Sequence, residues 1–273
     1  MISPPEPKPE PAEQEAVYLG HVAEIRRRLE AILALPGLET FRETRTLPRA
    51  FFEHFHAFLD EYDKLIDFVL SFSGDDRRIQ CRKGCANCCI DLVRGMTTPE
   101  IIAIYHHVRS WPDAKKLFEY HKESTELFIN ILLQKVPNPA ELEGKGGDDR
   151  IAESHLLYNM LNRPCGFLDQ QTGCCRIYPV RPLACRYFFS IDPPETCTPL
   201  HVKYLNRQTR LVHLPAEIHA LIREIDRKFG FRPLNYLCGA FCQFAAEIMR
   251  IKPITVLDDA PREVNPPQGG ERA

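Results

Sequence analysis

No stretch of the sequence approaches the roughly 18 consecutive apolar residues that a membrane-spanning helix needs, so no segment reads as a span. Net charge is also nearly absent. A formal −2, from 35 Lys+Arg against 37 Asp+Glu, gives no general pull toward nucleic acid or an anionic membrane surface. The first residues, Met1 to Pro11, have no basic start followed by an apolar run, so a secretory signal is not expected. Missing too are an internal repeat, a βα alternation, a Ser-His-Asp order, a phosphate loop and a glycine-rich dinucleotide fingerprint. Together these absences point to a cytoplasmic protein, where thiols stay reduced.

What the sequence has in excess is cysteine and proline, 11 and 23 in 273 residues. The length suffices for a real core, and 44% hydrophobic residues is ordinary for a globular chain. An odd number of cysteines fits a full disulfide set poorly. Scattered buried thiols explain two or three of them, but not Cys81, Cys85, Cys88 and Cys89 within nine residues. In a reduced compartment such spacing suggests metal or catalysis.

The remainder reads as helices. Residues 1–12 are Pro/Glu-rich and expected to form a disordered tail. Tyr18, Val22, Ile25, Leu29 and Ile32 fall at helical spacing in a helix from about Ala12 to Leu35. A second helix, from about Pro48 to Phe72, carries Phe52, Phe55, Leu59, Tyr62, Ile66 and Val69 on one face and stops at Gly74. Thr97 and Glu100 form a capping-box pattern with Pro99 in the first turn, opening a helix to about Val108. Further helices are expected at about 112–134, 150–161, 215–230 and 233–249. Residues 137–150 read as a long loop, Leu211 to Leu214 as a short strand, and the chain from Ile251 as a loose tail. The expected fold is mainly α: one irregular helical bundle over 13–250, with cysteine loops at about 78–200 converging on a metal centre.

The first loop reads Cys81-Arg-Lys-Gly-Cys85-Ala-Asn-Cys88-Cys89. The second holds Pro164-Cys165-Gly166-Phe167-Leu168, then Gly173-Cys174-Cys175, then Arg181-Pro182-Leu-Ala-Cys185-Arg186, and finally Cys197. Thiolates select zinc, copper(I) or iron–sulfur over hard cations. Gaps of two or three residues let one loop aim several sulfurs at a centre, and Gly84, Gly166 and Gly173 permit sharp turns. Arg82, Lys83, Arg176, Arg181 and Arg186 stand beside the cysteines and are expected to lower thiol pKa values and balance thiolate charge. A solvated basic face is an equally good reading of those cations alone. Adjacent side chains such as Cys88 and Cys89 point apart, which favours two centres or one polynuclear centre.

These elements, in this order over roughly residues 78–200, resemble the bacterial cysteine-cluster family described as a zinc- or iron-chelating domain, the YkgJ-like proteins. The resemblance implies metal ligation by Cys81, Cys85, Cys88, Cys89, Cys165, Cys175 and Cys185, with Cys197 as a weaker eighth. Cys174 leaves the choice between it and Cys175 open. The pattern also occurs in flagellin lysine N-methylases, which implies a protein-methylating alternative using a cluster and S-adenosylmethionine. Cys81-x3-Cys85-x2-Cys88 has the spacing of radical S-adenosylmethionine enzymes. Those need a βα barrel of roughly 200 residues or more, and no such alternation is present.

Outside the loops, Cys238 and Cys242 lie one helical turn apart with Leu237, Phe241 and Ala245, and core packing explains them better than ligation. The alternative is that their helix covers the metal site and lends a ligand. His201 follows Cys197 at a possible zinc spacing but reads as a loop histidine. Glu100 reads as a cap, and Asp91 and Asp169 as turn formers or acceptors beside the ligands. The expected function is binding of an iron–sulfur centre, preferred over zinc, with the reaction unassigned. The alternatives are the methylase and a structural zinc protein whose helical arms hold a protein partner.

Overall fold

The computed structural model describes residues 10–74, 78–81, 84–135 and 145–258. Helix α1 (Pro11–Leu33) buries Val22, Ile25, Leu29 and Ile32, the stripe read from the sequence. It packs along α3 (Arg49–Ser73), which stops at Gly74 with φ 75°, a left-handed end that glycine adopts without strain. The two helices are also joined by His21 Nδ1 and Glu61 Oε1 at 2.7 Å. Between them come the one-turn helix α2 (Phe41–Thr44) and the strand β1 (Thr46–Pro48).

Helix α4 (Thr98–Val108) is buried on nearly every side. Its predicted capping box is formed: Thr97 N–H donates to Glu100 Oε2 at 2.9 Å. Helix α5 (Ala114–Lys135) packs against α6 (Lys145–Met160). After the second cysteine loop come α8 (Ala216–Lys228) and α9 (Leu237–Gln243), with the five-residue α7 (Leu183–Tyr187) inside the loop itself. The core is aromatic. Phe41 meets Phe229 edge-on at 5.5 Å and stacks on Phe244 at 6.1 Å, and all three are fully buried. Each such ring contributes up to about 3 kcal/mol by leaving water.

Several boundaries differ from the sequence reading. Helix α6 starts at Lys145 rather than Arg150, taking in a Gly-Gly pair that propensity alone argues against. The predicted loop at 137–150 otherwise falls largely outside the described residues. The short strand is Thr209–Leu211 (β5), paired antiparallel with Phe188–Ser190 (β4), while Val212 and Leu214 turn into the core. The last helix begins at Leu237, not Pro233, and ends in a π turn at Phe244–Ile248. The chain after Ile251 is not loose throughout: Thr255–Leu257 (β6) pairs in parallel with β1, and Ile254 is buried. Residues 1–9 and 259–273 lie outside the described residues. None of the described helices is long and apolar enough to cross a membrane.

Candidate metal centre

Two loops carry the cysteines, one between α3 and α4, the other between α6 and β5, and three backbone contacts join them. Cys165 N–H donates to the Cys89 carbonyl at 2.6 Å. Ser190 N–H points at Cys81 Sγ at 3.4 Å. Gly173, at φ 68°, lies so close to Gly84 that a Cβ there would sit 2.8 Å from the Gly84 oxygen. Only glycine meets both demands. Gly84, at φ 92°, is likewise left-handed, as the turn reading required. Gly166 is not. It serves close packing, since a Cβ would come within 2.7 Å of His121 Nε2.

Inside the second loop, Leu168–Asp169 (β2) and Cys174–Cys175 (β3) form a minimal hairpin. Two buried side chains then hold the segment that bears Cys185. Glu100, the α4 cap, also accepts the Leu183 N–H at 2.6 Å, at the start of α7. Arg186, 1% exposed, donates to the carbonyls of Arg181 at 3.0 Å and Pro179 at 2.7 Å and forms an ion pair with Asp63 of α3. Burial of such a cation is tolerable only with partners of this kind.

Cys81, Cys85 and Cys88 of the first loop and Cys185 of the second line one cleft of about 260 Å³, with Asp63, Asp67 and Arg181. Cys88 is central, acting electrostatically on Cys81, Cys175, Cys185 and Cys197. The adjacent Cys89 thiol acts on it as well. That interaction and the dehydrated surroundings hold Cys88 well above the usual thiol range. Loss of water pushes Cys81 up to about 11 and raises Cys165, Cys175, Cys185 and Cys197 as well.

The expectation that neighbouring arginines lower these pKa values holds in direction for Arg181 and Arg186, but burial outweighs them. Arg176 is paired with Asp113 at 2.6 Å and lies over the Trp111 ring. Arg186 is paired with Asp63 and still favours the Cys175 thiolate. Arg181 favours the Cys175 and Cys185 thiolates, but burial outweighs it. Arg82 and Lys83 lie outside the described residues. Burial thus disfavours the thiolate form at Cys81, Cys88, Cys165, Cys175, Cys185 and Cys197, and a bound cation would offset that cost. The donors are soft and numerous, as zinc or iron requires. Among the described residues, no three Cys, His, Asp or Glu side chains already surround one point as metal ligands.

Cys165 stands apart from the cleft. With Cys238 it lines a separate void of about 30 Å³. Cys238 is buried in a small cluster with Phe128, Tyr158 and Tyr236, and Cys242 points at the Phe118 carbonyl at 3.9 Å. Cys197 is buried, and Cys174 is half-buried in the β2–β3 hairpin. His201 accepts the Lys203 N–H at 3.1 Å, and Asp169 accepts from Gln171 and Thr172, so both are turn residues. Asp91 accepts the Tyr204 hydroxyl at 2.7 Å, and its carboxyl pKa is raised by burial.

Glu100's second contact, Asp63 and His121 escaped the sequence reading. His121 is 2% exposed, packs against Phe167 at 4.4 Å, and has no hydrogen-bond partner for either ring nitrogen among the described residues. Burial drives its pKa down to about 3. Its position one residue after Tyr120 on a half-exposed helix gave no signal.

Residues 80–203 match the model of the CxxCxxCC family, described as a "putative zinc- or iron-chelating domain". The match spans both cysteine loops and ends before α8 and α9. No curated protein and no solved structure matches the chain.

Proposed function

We propose that this protein holds an iron–sulfur centre, or zinc, on thiolates drawn from both cysteine loops. The observation that carries the reading is the shared cleft, to which the first loop contributes Cys81, Cys85 and Cys88 and the second Cys185. The remaining ligand candidates are Cys89, Cys165 and Cys175, with Cys197 as an eighth. Iron–sulfur is preferred because the first loop carries the vicinal pair Cys88 and Cys89 and the thiols outnumber the needs of one zinc. Seven ligands leave room for an open coordination position, whereas eight would close two four-thiolate sites.

The metal centre would supply electron transfer if it is a cluster, or a rigid cross-link if it is zinc. The chain's own part is positioning. Glu100 and Arg186 fix the α7 segment behind Cys185, and Gly84 and Gly173 allow the loops to touch. Arg181 faces the cleft and offsets part of the thiolate charge.

Metal and acid-labile sulfide analysis with a visible spectrum, on protein purified without oxygen, tests the reading. Stoichiometric iron and sulfide in brown protein is the expected result. It leads to an S-adenosylmethionine binding assay for the methylase alternative. Colourless protein with zinc replaces the cluster by the structural-zinc reading and turns attention to a protein partner for the helical arms. Protein with neither metal overturns the proposal. Cys85→Ala is expected to lower metal content and melting temperature together, because binding and folding are coupled.

A further inference from the structure

Away from the cysteine loops, α4, α5 and the last helix enclose a pocket of about 430 Å³, within the range of small-molecule sites. Its walls are apolar and largely aromatic: Tyr105 and Val108 from α4, Phe118 from α5, Phe241 and Ala245 from the last helix. Two cations stand at its rim, Arg109 where α4 ends and Lys115 where α5 begins. Both are exposed, and neither side chain has an ion-pair or hydrogen-bond partner among the described residues. Glu119 is the one acid in the lining. We propose that this pocket binds a small apolar molecule carrying a single carboxylate. The hydrocarbon would lie on the aromatic walls and the carboxylate would be held between Arg109 and Lys115.

The backbone beside the pocket supports the assignment. The last helix ends in the π turn at Phe244–Ile248, a rare geometry often found where helices serve ligands. It is followed by two consecutive left-handed residues, Arg250 at φ 50° and Ile251 at φ 60°. For a β-branched side chain that conformation is a genuine outlier. Three hydrogen bonds hold it: Ile251 N–H to Ala245 O at 2.8 Å, Lys252 N–H to Met249 O at 2.9 Å, and Tyr105 O–H to Lys252 O at 2.7 Å. Glycine would make the same turn without strain. The isoleucine there is 66% exposed and forms part of the pocket wall. A strained, exposed, apolar side chain at a pocket mouth does nothing for stability, and it is explained if it covers the apolar body of a ligand.

Calorimetric titration of the full chain with decanoate, with decanol as the control for the head group, tests the proposal. Saturable binding of decanoate at one site is expected, with decanol markedly weaker. Arg109→Gln with Lys115→Gln should weaken decanoate about tenfold, as loss of charge-assisted bonds does, and leave decanol unchanged. Ile251→Gly should weaken both severalfold while raising the melting temperature, a pairing that general damage to the fold would not produce. Absence of saturable decanoate binding overturns the proposal. So does equal affinity for decanol, or decanoate affinity unaltered by the charge variant or by Ile251→Gly. Metal content should stay unchanged in every variant, so failure here leaves the cysteine reading standing.

Discussion

The helical body and the cysteine loops are held together by opposite means. The body relies on area. Phe41, Phe51, Phe55, Phe229 and Phe244 are fully buried and touch one another, so each ring is backed by many weak contacts. The loops anchor Phe167, Ile177 and Val180 in that core, but they meet each other through directed contacts. They depend on a few directed groups: Arg186 on Asp63 and two carbonyls, Glu100 on the Leu183 N–H, and glycine backbones in contact. Stability and site geometry should therefore be separable by mutation.

The largest effect is expected in the body. Phe41→Ala should cost about 3–5 kcal/mol by leaving a cavity between Phe229 and Phe244, read by denaturant melts, while metal per folded molecule stays constant. Metal loss at that site without unfolding would erase the distinction. Arg186→Ala should cost about 3 kcal/mol, since it strands the Arg181 and Pro179 carbonyls and leaves Asp63 to the more distant Arg181, at 3.6 Å. Unlike the Phe41 variant, it should also lower metal content under conditions where the helices remain folded by circular dichroism.

The seam between the two regions is expected to be pH-sensitive. His155 of α6 is nearly buried, stacks on Phe128 at 4.9 Å and lies 2.9 Å from Arg94, close to the first loop. Burial, with Arg94 adding to it, lowers its pKa from 6.5 to about 4. The imidazole is then neutral in the fold, and the unfolded chain binds the extra proton below pH 6.5. Its contribution is complete above pH 6.5 and is lost as pH falls toward 4, by about 2–3 kcal/mol. Melts of wild type and His155→Gln over that interval check this: the slope should flatten in the variant, and an identical slope would count against it. The smallest change in stability, about 1–2 kcal/mol, is expected from Gly173→Ala, where left-handed φ and the Gly84 oxygen both oppose a Cβ. Its effect on metal content should be out of proportion to that cost.

The same division explains what the sequence disclosed. Helices α1, α3 and α4 were legible because burial of one face imposes a 3.6-residue period, as Val22, Ile25, Leu29 and Ile32 show, and because Thr97 and Glu100 cap locally. The cysteines were legible because donors for soft metals are few. The junction was not, because Gly84 and Gly173 lie far apart in the chain and meet through backbone atoms that have no residue signature. Arg186 was read only in part, for a related reason. Beside a cysteine it suggests charge balance, and only the fold reveals Asp63 as its partner. The start of α6 was missed because the Gly146-Gly147 pair has low helix propensity.

The central claim is that thiols of both loops serve one metal site. As residues, Cys88 in the first loop and Cys185 in the second are both exposed, although their thiols sit in dehydrated surroundings, so a small reagent can approach both. Pulse alkylation with N-ethylmaleimide, read residue by residue by mass spectrometry, compares protein as purified without oxygen with protein treated with graded chelator. A shared centre predicts that Cys88 and Cys185 are both blocked at first and become reactive together as metal leaves. Reaction of either cysteine at the same rate with and without metal, or release of the two at different chelator concentrations, would contradict it.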